Sequence, residues 1–484
     1  MTLTLALLCV FTIAAGAAVA RLMPARLALF QLPQVSGQQR PIAPDALSVA
    51  GSGSGTTTAS PSPAGVAARL APLIDSGGLG RTVGALVVNL KTGQVLYTQN
   101  ADDGFAPAST TKVATAVAAI TTLGAQARFT TSVVLAPSGG SGAGRSIMLI
   151  GGGDPTLSAG RYPAAFYPQP ASLVALARQA AATLRAKSIT SVRLTYDNTL
   201  FTGPTLAPGW PGFGSANNYI TTGNVAPITG LEVDQGRLTS SGQPQDYDDP
   251  SNYLPRSMTP GRDAARAFAS FLRKDGIAVR NVPVSANPAQ IAGKGPLIAS
   301  VKSATLAQMV QWMLQESNNV IAETLARQVA IATGRPATFA GAAAAVMAVD
   351  ARLGVNGIHL HDGSGLSPLD RIEPSALVRL IELASSARDP ALRPVITGFP
   401  VAGFAGTLGP GSSFGPFGPV ALGTVRAKTG NITGVATMAG IAYAKDGSLL
   451  AFAFMGNGIS DRLGLSAESM LSQLATQLAG CGCG

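Results

Sequence analysis

From Ser109 to Leu123 the chain reads as a helix that is apolar almost all round, with Lys112 one turn after its opening serine and Gly124 as its stop. Val113, Ala114, Ala116, Val117, Ala118, Ala119 and Ile120 leave no face for water, so other elements must close around this helix. That demands a large core. The 484 residues supply one, with 46% hydrophobic against 12% charged, a balance that excludes a disordered chain. The length is that of one large domain or two to three ordinary ones. The 57 glycines and 33 prolines follow no short period, which excludes collagen-like and repeat architectures. The net charge of +10 comes from 34 basic and 24 acidic residues with no basic run, so no nucleic-acid partner is expected. A diffuse positive surface suits an anionic cell-surface polymer.

The N-terminus points to export. Leu3 to Ala20 is predominantly apolar and uncharged and ends Ala17-Ala18-Val19-Ala20 before Arg21, so residues 1–25 read as a signal peptide or an uncleaved membrane anchor. The expected location is the extracytoplasmic face of the membrane, the periplasm or the cell wall. Residues 35–65 are rich in Gly, Ser, Thr and Pro and read as a flexible linker. The three cysteines, Cys9, Cys481 and Cys483, leave the folded body without thiols, which fits an oxidising compartment and rules out a zinc framework. Cys481 and Cys483 are expected in a frayed tail.

Past the linker, Val83–Asn89 and Gln94–Thr98 look like strands paired around Leu90-Lys91-Thr92-Gly93. Amphipathic helices are expected near Ala171–Lys187 and Arg262–Lys274. Helical periodicity returns over Thr305–Gln315 and Asn318–Thr333, broken at Ser317, and again over Pro374–Ser385 and Ser466–Leu478. Gly423–Lys428, Val435–Ala444 and Leu449–Met455 read as antiparallel strands. A helix cluster beside a sheet formed from both chain ends is an α+β fold, an antiparallel sheet flanked by helices.

Three short elements carry chemistry: Ser109-Thr110-Thr111-Lys112, Ser317-Asn318-Asn319 and Lys428-Thr429-Gly430. Ser109 opens a helix, where free backbone N–H groups face developing negative charge. Lys112 at i+3 shares its face, and burial with a second cation nearby, Lys428, would lower its pKa enough to take the serine proton. Ser317 and Asn319 fall where two helices meet. The hydroxyl can relay a proton to the leaving amine, and the carboxamide can hold both Lys112 and a substrate carbonyl. Lys428 and Thr429 can bind a substrate carboxylate, Gly430 permits close backbone approach, and the N–H groups of Ser109 and Asn431 are candidates for the oxyanion hole. Lys91-Thr92-Gly93 repeats the third tripeptide but lies between strands, as a hairpin turn does. His359 and His361 stand two apart and read as an exposed strand face rather than as part of a Ser-His-Asp triad or a metal site.

This constellation resembles the penicillin-binding proteins and serine β-lactamases, and within them the low-molecular-mass class C D-alanyl-D-alanine carboxypeptidase/endopeptidases. The resemblance covers Arg81 to Gly458. Ser109 and Ser317 lie 208 positions apart (317 − 109), and Ser317 and Lys428 lie 111 apart (428 − 317), a long first interval similar to that family's inserted domains. Gly151-Gly152-Gly153-Asp154-Pro155-Thr156, Ala207-Pro208-Gly209-Trp210 and Asp362-Gly363-Ser364-Gly365-Leu366-Ser367 are further similar segments, read as turns and packing. The resemblance implies a serine-acyltransferase domain over 66–123 and 291–480, with accessory domains inserted over 124–290. It implies peptidoglycan stem peptides ending in D-Ala-D-Ala as substrate, β-lactams as acylating ligands of Ser109, and no cofactor. Asp197 matches the acidic residue that recognises the diaminopimelate side chain. Pro368 stands where the family has a basic residue, with Arg371 the nearest cation, and Thr433 matches a polar contact. A β-lactamase or esterase of the same superfamily and a non-catalytic cell-wall binding protein are the competing readings.

Overall fold

The computed structural model describes residues 59–136, 145–160, 167–211, 218–238, 254–293, 295–460 and 464–484. The expected signal peptide or anchor and most of the expected linker therefore lie outside the described residues. Among the described residues no helix is long and apolar enough to cross a membrane.

Helix α1 (Pro63–Ile74) begins inside the expected linker, because Ser62 accepts from Gly65 N and Pro63 suits a first helical position. Strands β1 (Thr82–Asn89) and β2 (Val95–Gln99) form the expected hairpin. Asn89 Oδ1 accepts from Lys91 N and Thr92 N in its turn, and Gly93 takes a φ of +74° there. Helix α2 (Thr111–Leu123) follows, buried throughout from Thr111 to Ile120. Val113, Val117 and Ile120 each contribute about 1.5–3 kcal/mol by that burial.

The chain then leaves for a second sheet: β3 (Thr130–Ala136), β4 (Ser146–Ile150), helix α3 (Leu173–Ala186), β5 (Ser191–Asp197), helix α4 (Pro260–Lys274), β6 (Ala278–Val279), β7 (Val284–Ser285) and β8 (Leu297–Lys302). Its order is β6-β5-β4-β3-β8, with β7 also on β5. β4 and β5 run parallel, joined through α3 as a parallel pair requires. Because β8 pairs with β3, the inserted sheet reaches past the boundary expected at 290, to Lys302. Entry and exit lie side by side: Ser303 N donates to Phe129 O at 2.9 Å, Phe129 N to Ser303 Oγ at 2.9 Å, and Leu306 N to Ala127 O at 2.8 Å.

Helices α5 (Leu306–Gln315), α6 (Asn319–Ala332) and α7 (Phe339–Arg352) return to α2. A small ribbon, β9 (Ile358–His359) with β10 (Arg371–Ile372), frames the 362–367 turn, and α8 (Pro374–Ser385) follows. Strands β11 (Val425–Ile432), β12 (Val435–Tyr443) and β13 (Leu449–Asn457) then join β1 and β2 in a five-stranded antiparallel sheet, order β11-β12-β13-β1-β2. This is the α+β arrangement read from the sequence. β1 is buried on both faces, which explains its unbroken apolar run. Leu86 and Val88 pack into the core around α2, while Val83, Ala85 and Val87 pack into the core shared with α1 and α9 (Gly464–Ala479).

The C-terminal tail is not frayed, against expectation. Cys481 is buried and joined to Cys483 by a disulfide, and Cys483 O accepts from Ser62 N at 3.0 Å. The apolar cover that α1 and α9 place over Cys481 is a long-range contact, invisible in a terminal Cys-Gly-Cys-Gly.

Asp350 on α7 has 0% exposure and no hydrogen-bond partner for either carboxylate oxygen. Burial holds its pKa well above the usual carboxylate range. An acid raised in the folded state contributes stability that is fully present below its unfolded pKa, about 4, and is lost as pH rises toward the folded value. Asp350→Asn is therefore expected to flatten the fall in stability between pH 5 and 8, with a gain at pH 8 of about 1–3 kcal/mol. Urea midpoints at the two pH values check this, and parallel profiles for variant and wild type would contradict it.

Candidate active site

The chain turns into α2 through a 3₁₀ turn, Ala108–Thr110, so the α-helix proper starts two residues after Ser109 rather than at it. Ala108 holds a φ of +47°, a left-handed conformation that costs a non-glycine residue about 1–3 kcal/mol. Pro107 O anchors it, accepting from Thr110 Oγ1 and from Thr437 Oγ1 on β12, both at 2.7 Å. The result lifts Ser109 into a cleft of about 490 Å³ that Ser317, Asn319, Thr429, Gly430 and Asn431 also line.

Lys112 Nζ lies 2.7 Å from Ser109 Oγ, 2.7 Å from Asn319 Oδ1 and 2.8 Å from Ser364 O. Its side chain is fully buried, and that burial lowers its pKa to about 7, while Asp362 and Glu323 pull the other way. A neutral amine has two N–H donors and one lone pair. Asn319 Oδ1 and Ser364 O take the donors, which leaves the lone pair for the Ser109 hydroxyl.

Ser317 sits between α5 and α6 at a φ of +55°, the break read from the sequence. Asn318 caps α6 by accepting from Ile321 N at 3.0 Å, which leaves Asn319 in the first turn facing α2. Asn319 Nδ2 donates to Asn224 O at 2.9 Å, fixing its Oδ1 toward Lys112. Lys428 Nζ donates to Ser317 Oγ at 2.9 Å and to Thr429 O at 2.6 Å. Burial first, then the Lys112 charge, lowers its pKa well below the ordinary lysine value. Lys-Thr-Gly lies inside β11 rather than at its end, because pairing with β12 continues through Ile432. A Cβ on Gly430 would stand 2.8 Å from Ser109 N, so glycine lets the strand lie against the nucleophile's backbone.

The structure thus gathers Ser109, Lys112, Ser317, Asn319, Lys428, Thr429, Gly430 and Asn431 in one place. Thr433 lies further along, in an adjoining cleft of about 490 Å³ shared with Tyr219, Asn431 and Glu468. Two candidates are not gathered. Asp197 is buried at the end of β5, where its Oδ1 accepts from Thr199 N and Thr199 Oγ1, and it lines neither cleft. Arg371 also lines neither, and its Nη1 donates to Pro368 O and Asp370 O of its own loop. His359 and His361 are exposed, and His361 faces Asp370. Among the described residues no group of three or more His, Cys, Asp or Glu is placed to hold a metal ion.

Sequence reasoning missed Asn224 and Thr407. Thr407 Oγ1 lies 2.6 Å from Thr429 Oγ1, in a Gly/Ser-rich loop that no local pattern marks. It also missed Glu323, for which a signal existed: it stands at i+4 from Asn319, on the same face of the helix.

The sequence profile of the D-Ala-D-Ala carboxypeptidase 3 (S13) family matches residues 66–253 and 232–478. A carboxypeptidase of Mycobacterium tuberculosis is 36% identical over 426 residues, 87% of this chain and 85% of its own. A D-alanyl-D-alanine carboxypeptidase of an Actinomadura species is 27% identical over 451 residues, 83% of this chain and 82% of its own. The crystal structure of penicillin binding protein 4 from Haemophilus influenzae has the same fold, with a TM-score of 0.65 and 23% identity over 84% of this chain and 98% of that one. The order of the motifs and their convergence on one cleft agree with a match that spans nearly all the described chain, and the protein belongs to the D-Ala-D-Ala carboxypeptidase (S13) family.

Proposed function

We propose that this serine-type D-Ala-D-Ala carboxypeptidase trims peptidoglycan stem peptides outside the cytoplasm through an acyl-enzyme on Ser109, and that it also cleaves cross-links as an endopeptidase. The observation that carries the reading is the Lys112 amine, buried 2.7 Å from Ser109 Oγ with both other acceptors in place.

Lys112 takes the Ser109 proton as Oγ attacks the carbonyl of the penultimate D-Ala. The N–H groups of Ser109 and Asn431 receive the developing oxyanion. The C–N bond breaks, and the terminal D-Ala leaves with a proton delivered through Ser317 Oγ, which Lys428 supports. Thr429, paired with Thr407, and the Lys428 charge hold the terminal carboxylate. Water then releases the trimmed peptide, with Lys112 again as base. A β-lactam enters by the same first step, and its ring-opened product remains on Ser109.

Purified protein is expected to release free D-Ala from a pentapeptide ending in D-Ala-D-Ala and to hold labelled penicillin as a long-lived adduct. Mass spectrometry of both reactions checks this. Rapid turnover of penicillin without D-Ala release would favour a β-lactamase, and binding of peptide without either reaction would favour a non-catalytic protein.

A further inference from the structure

We propose that Glu323 and Trp210 are positioning residues that hold the Ser364 carbonyl on Lys112, so that the inserted region helps to aim the base of the acyltransferase domain. This rests on the reading of Lys112 as the base.

The turn 362–367 directs its backbone N–H groups at two buried acidic side chains, Glu323 and Asp362. Glu323 Oε1 accepts from Ser364 N at 2.8 Å, and its two oxygens lie 3.1 and 3.0 Å from Gly363 N. Asp362 Oδ1 accepts from Ser364 N at 3.1 Å and Gly365 N at 2.7 Å, and its Oδ2 accepts from Ser367 N at 2.6 Å. The same Oδ2 accepts from Trp210 Nε1 at 2.8 Å, and Trp210 comes from the inserted region. Ser364 is thus gripped at its own N–H by Glu323 and Asp362, and the peptide whose carbonyl meets Lys112 Nζ is held at its N–H, that of Gly365, by Asp362.

The turn has no room to retreat. A Cβ on Gly365, whose φ is +82°, would lie 1.8 Å from Ala108 O, so the turn is pressed against the backbone just before Ser109. Thr115 Oγ1 on α2 donates to Gly363 O at 2.7 Å. On the far side Tyr219 OH donates to Leu366 O at 3.2 Å and Ser367 Oγ to Pro208 O at 2.9 Å, so the inserted region braces the turn at three points.

The functional content lies in the count of bonds at Lys112. A neutral amine with both N–H groups engaged has its lone pair aimed by those acceptors. If Ser364 O drifts, the amine swings on Asn319 Oδ1 alone and the lone pair leaves the line to Ser109. A misplacement of this kind costs about 100-fold in rate. Substrate affinity is expected to change far less than the rate, because neither Glu323 nor Trp210 lines the cleft and Leu366 alone of the turn does.

Glu323→Leu removes the acceptors of the turn. Trp210→Phe keeps an aromatic ring against Tyr219 and Phe339 but removes the N–H with the five-membered part of the indole. Single-turnover acylation by a chromogenic β-lactam, with competent sites counted by labelled penicillin, separates a slower site from a smaller folded fraction. Both variants are expected to acylate about 10–100-fold more slowly per competent site, with the concentration giving half-maximal rate within about twofold of wild type. A full rate per site in either variant overturns the proposal, as does a loss confined to the number of competent sites. Should Glu323→Leu fail to fold, Trp210→Phe decides alone. Lys112→Ala run in parallel separates the layers. If it acylates normally, the base assignment falls; if it is inactive while Trp210→Phe retains full rate, only the positioning role falls.

Discussion

Ser109→Ala is expected to abolish covalent labelling by penicillin and to lower D-Ala release by about 10⁶-fold, the scale seen when an enzyme loses its covalent nucleophile. The effect is this large because Ser109 is, among the described residues, the one hydroxyl that lies within 2.7 Å of the Lys112 amine. The fold is expected to survive. Ser109 is half-buried, Ala108 keeps its own anchor through Pro107 O, and the backbone N–H at 109 stays beside Gly430. Substrate should therefore still bind, with an affinity measurable by titration. Intact-mass spectrometry after incubation with penicillin is the direct readout. An adduct of undiminished yield on the Ala variant would place the nucleophile elsewhere.

Lys112→Ala comes next, with an expected loss of about 10²–10⁴-fold in the acylation step, the range for a positioned general base. Its pH signature is specific. Lys112 must be neutral to accept the proton, and burial brings its pKa down to about 7, so the wild-type acylation rate should climb with pH through that region. The Ala variant should lack the climb. Lys112→Arg should not restore it, since a guanidinium stays charged at every pH used. Stopped-flow acylation between pH 5.5 and 9 tests both points, and an unchanged limb in the Ala variant would assign the titration to another group.

Much of this was readable from residue order. An all-apolar helix stopped by Gly124 demanded a surrounding shell, and the paired runs at 83–98 and 423–455 supplied the sheet. The motifs were legible because their residue types are unusual in such settings: a lysine in an apolar helix, and a Ser-Asn-Asn break between two helices. What escaped depends on contacts made across the chain. Ala108 bears no mark of its left-handed φ, which Pro107 and Thr437 impose. The continuation of β11 past Lys428 depends on β12, and β8 joins the inserted sheet through β3, so neither boundary shows locally. Asp197 matches by residue type, while the bonds its Oδ1 accepts from Thr199 are set by the local turn. Thr407 reaches Thr429 from a loop whose composition announces only a loop.

Residues 125–129 and 303–307 form a hydrogen-bonded stem where the chain leaves for the second sheet and returns. Where a chain leaves a domain and re-enters it along the same hydrogen-bonded stem, everything beyond the stem is a graft, free to lengthen, shorten or be exchanged while the host stays closed. Here the segment beyond the stem packs back toward the site. Trp210 and Asn224 lie beyond the stem, yet Asn224 holds Asn319, which touches Lys112, and Trp210 holds Asp362, which grips the N–H of Ser364, whose carbonyl meets Lys112. Pruning at the stem would rejoin the chain neatly and leave the lysine's carboxamide partner without its carbonyl anchor. Topology would let the segment be detached, and its contacts with the site tie it back.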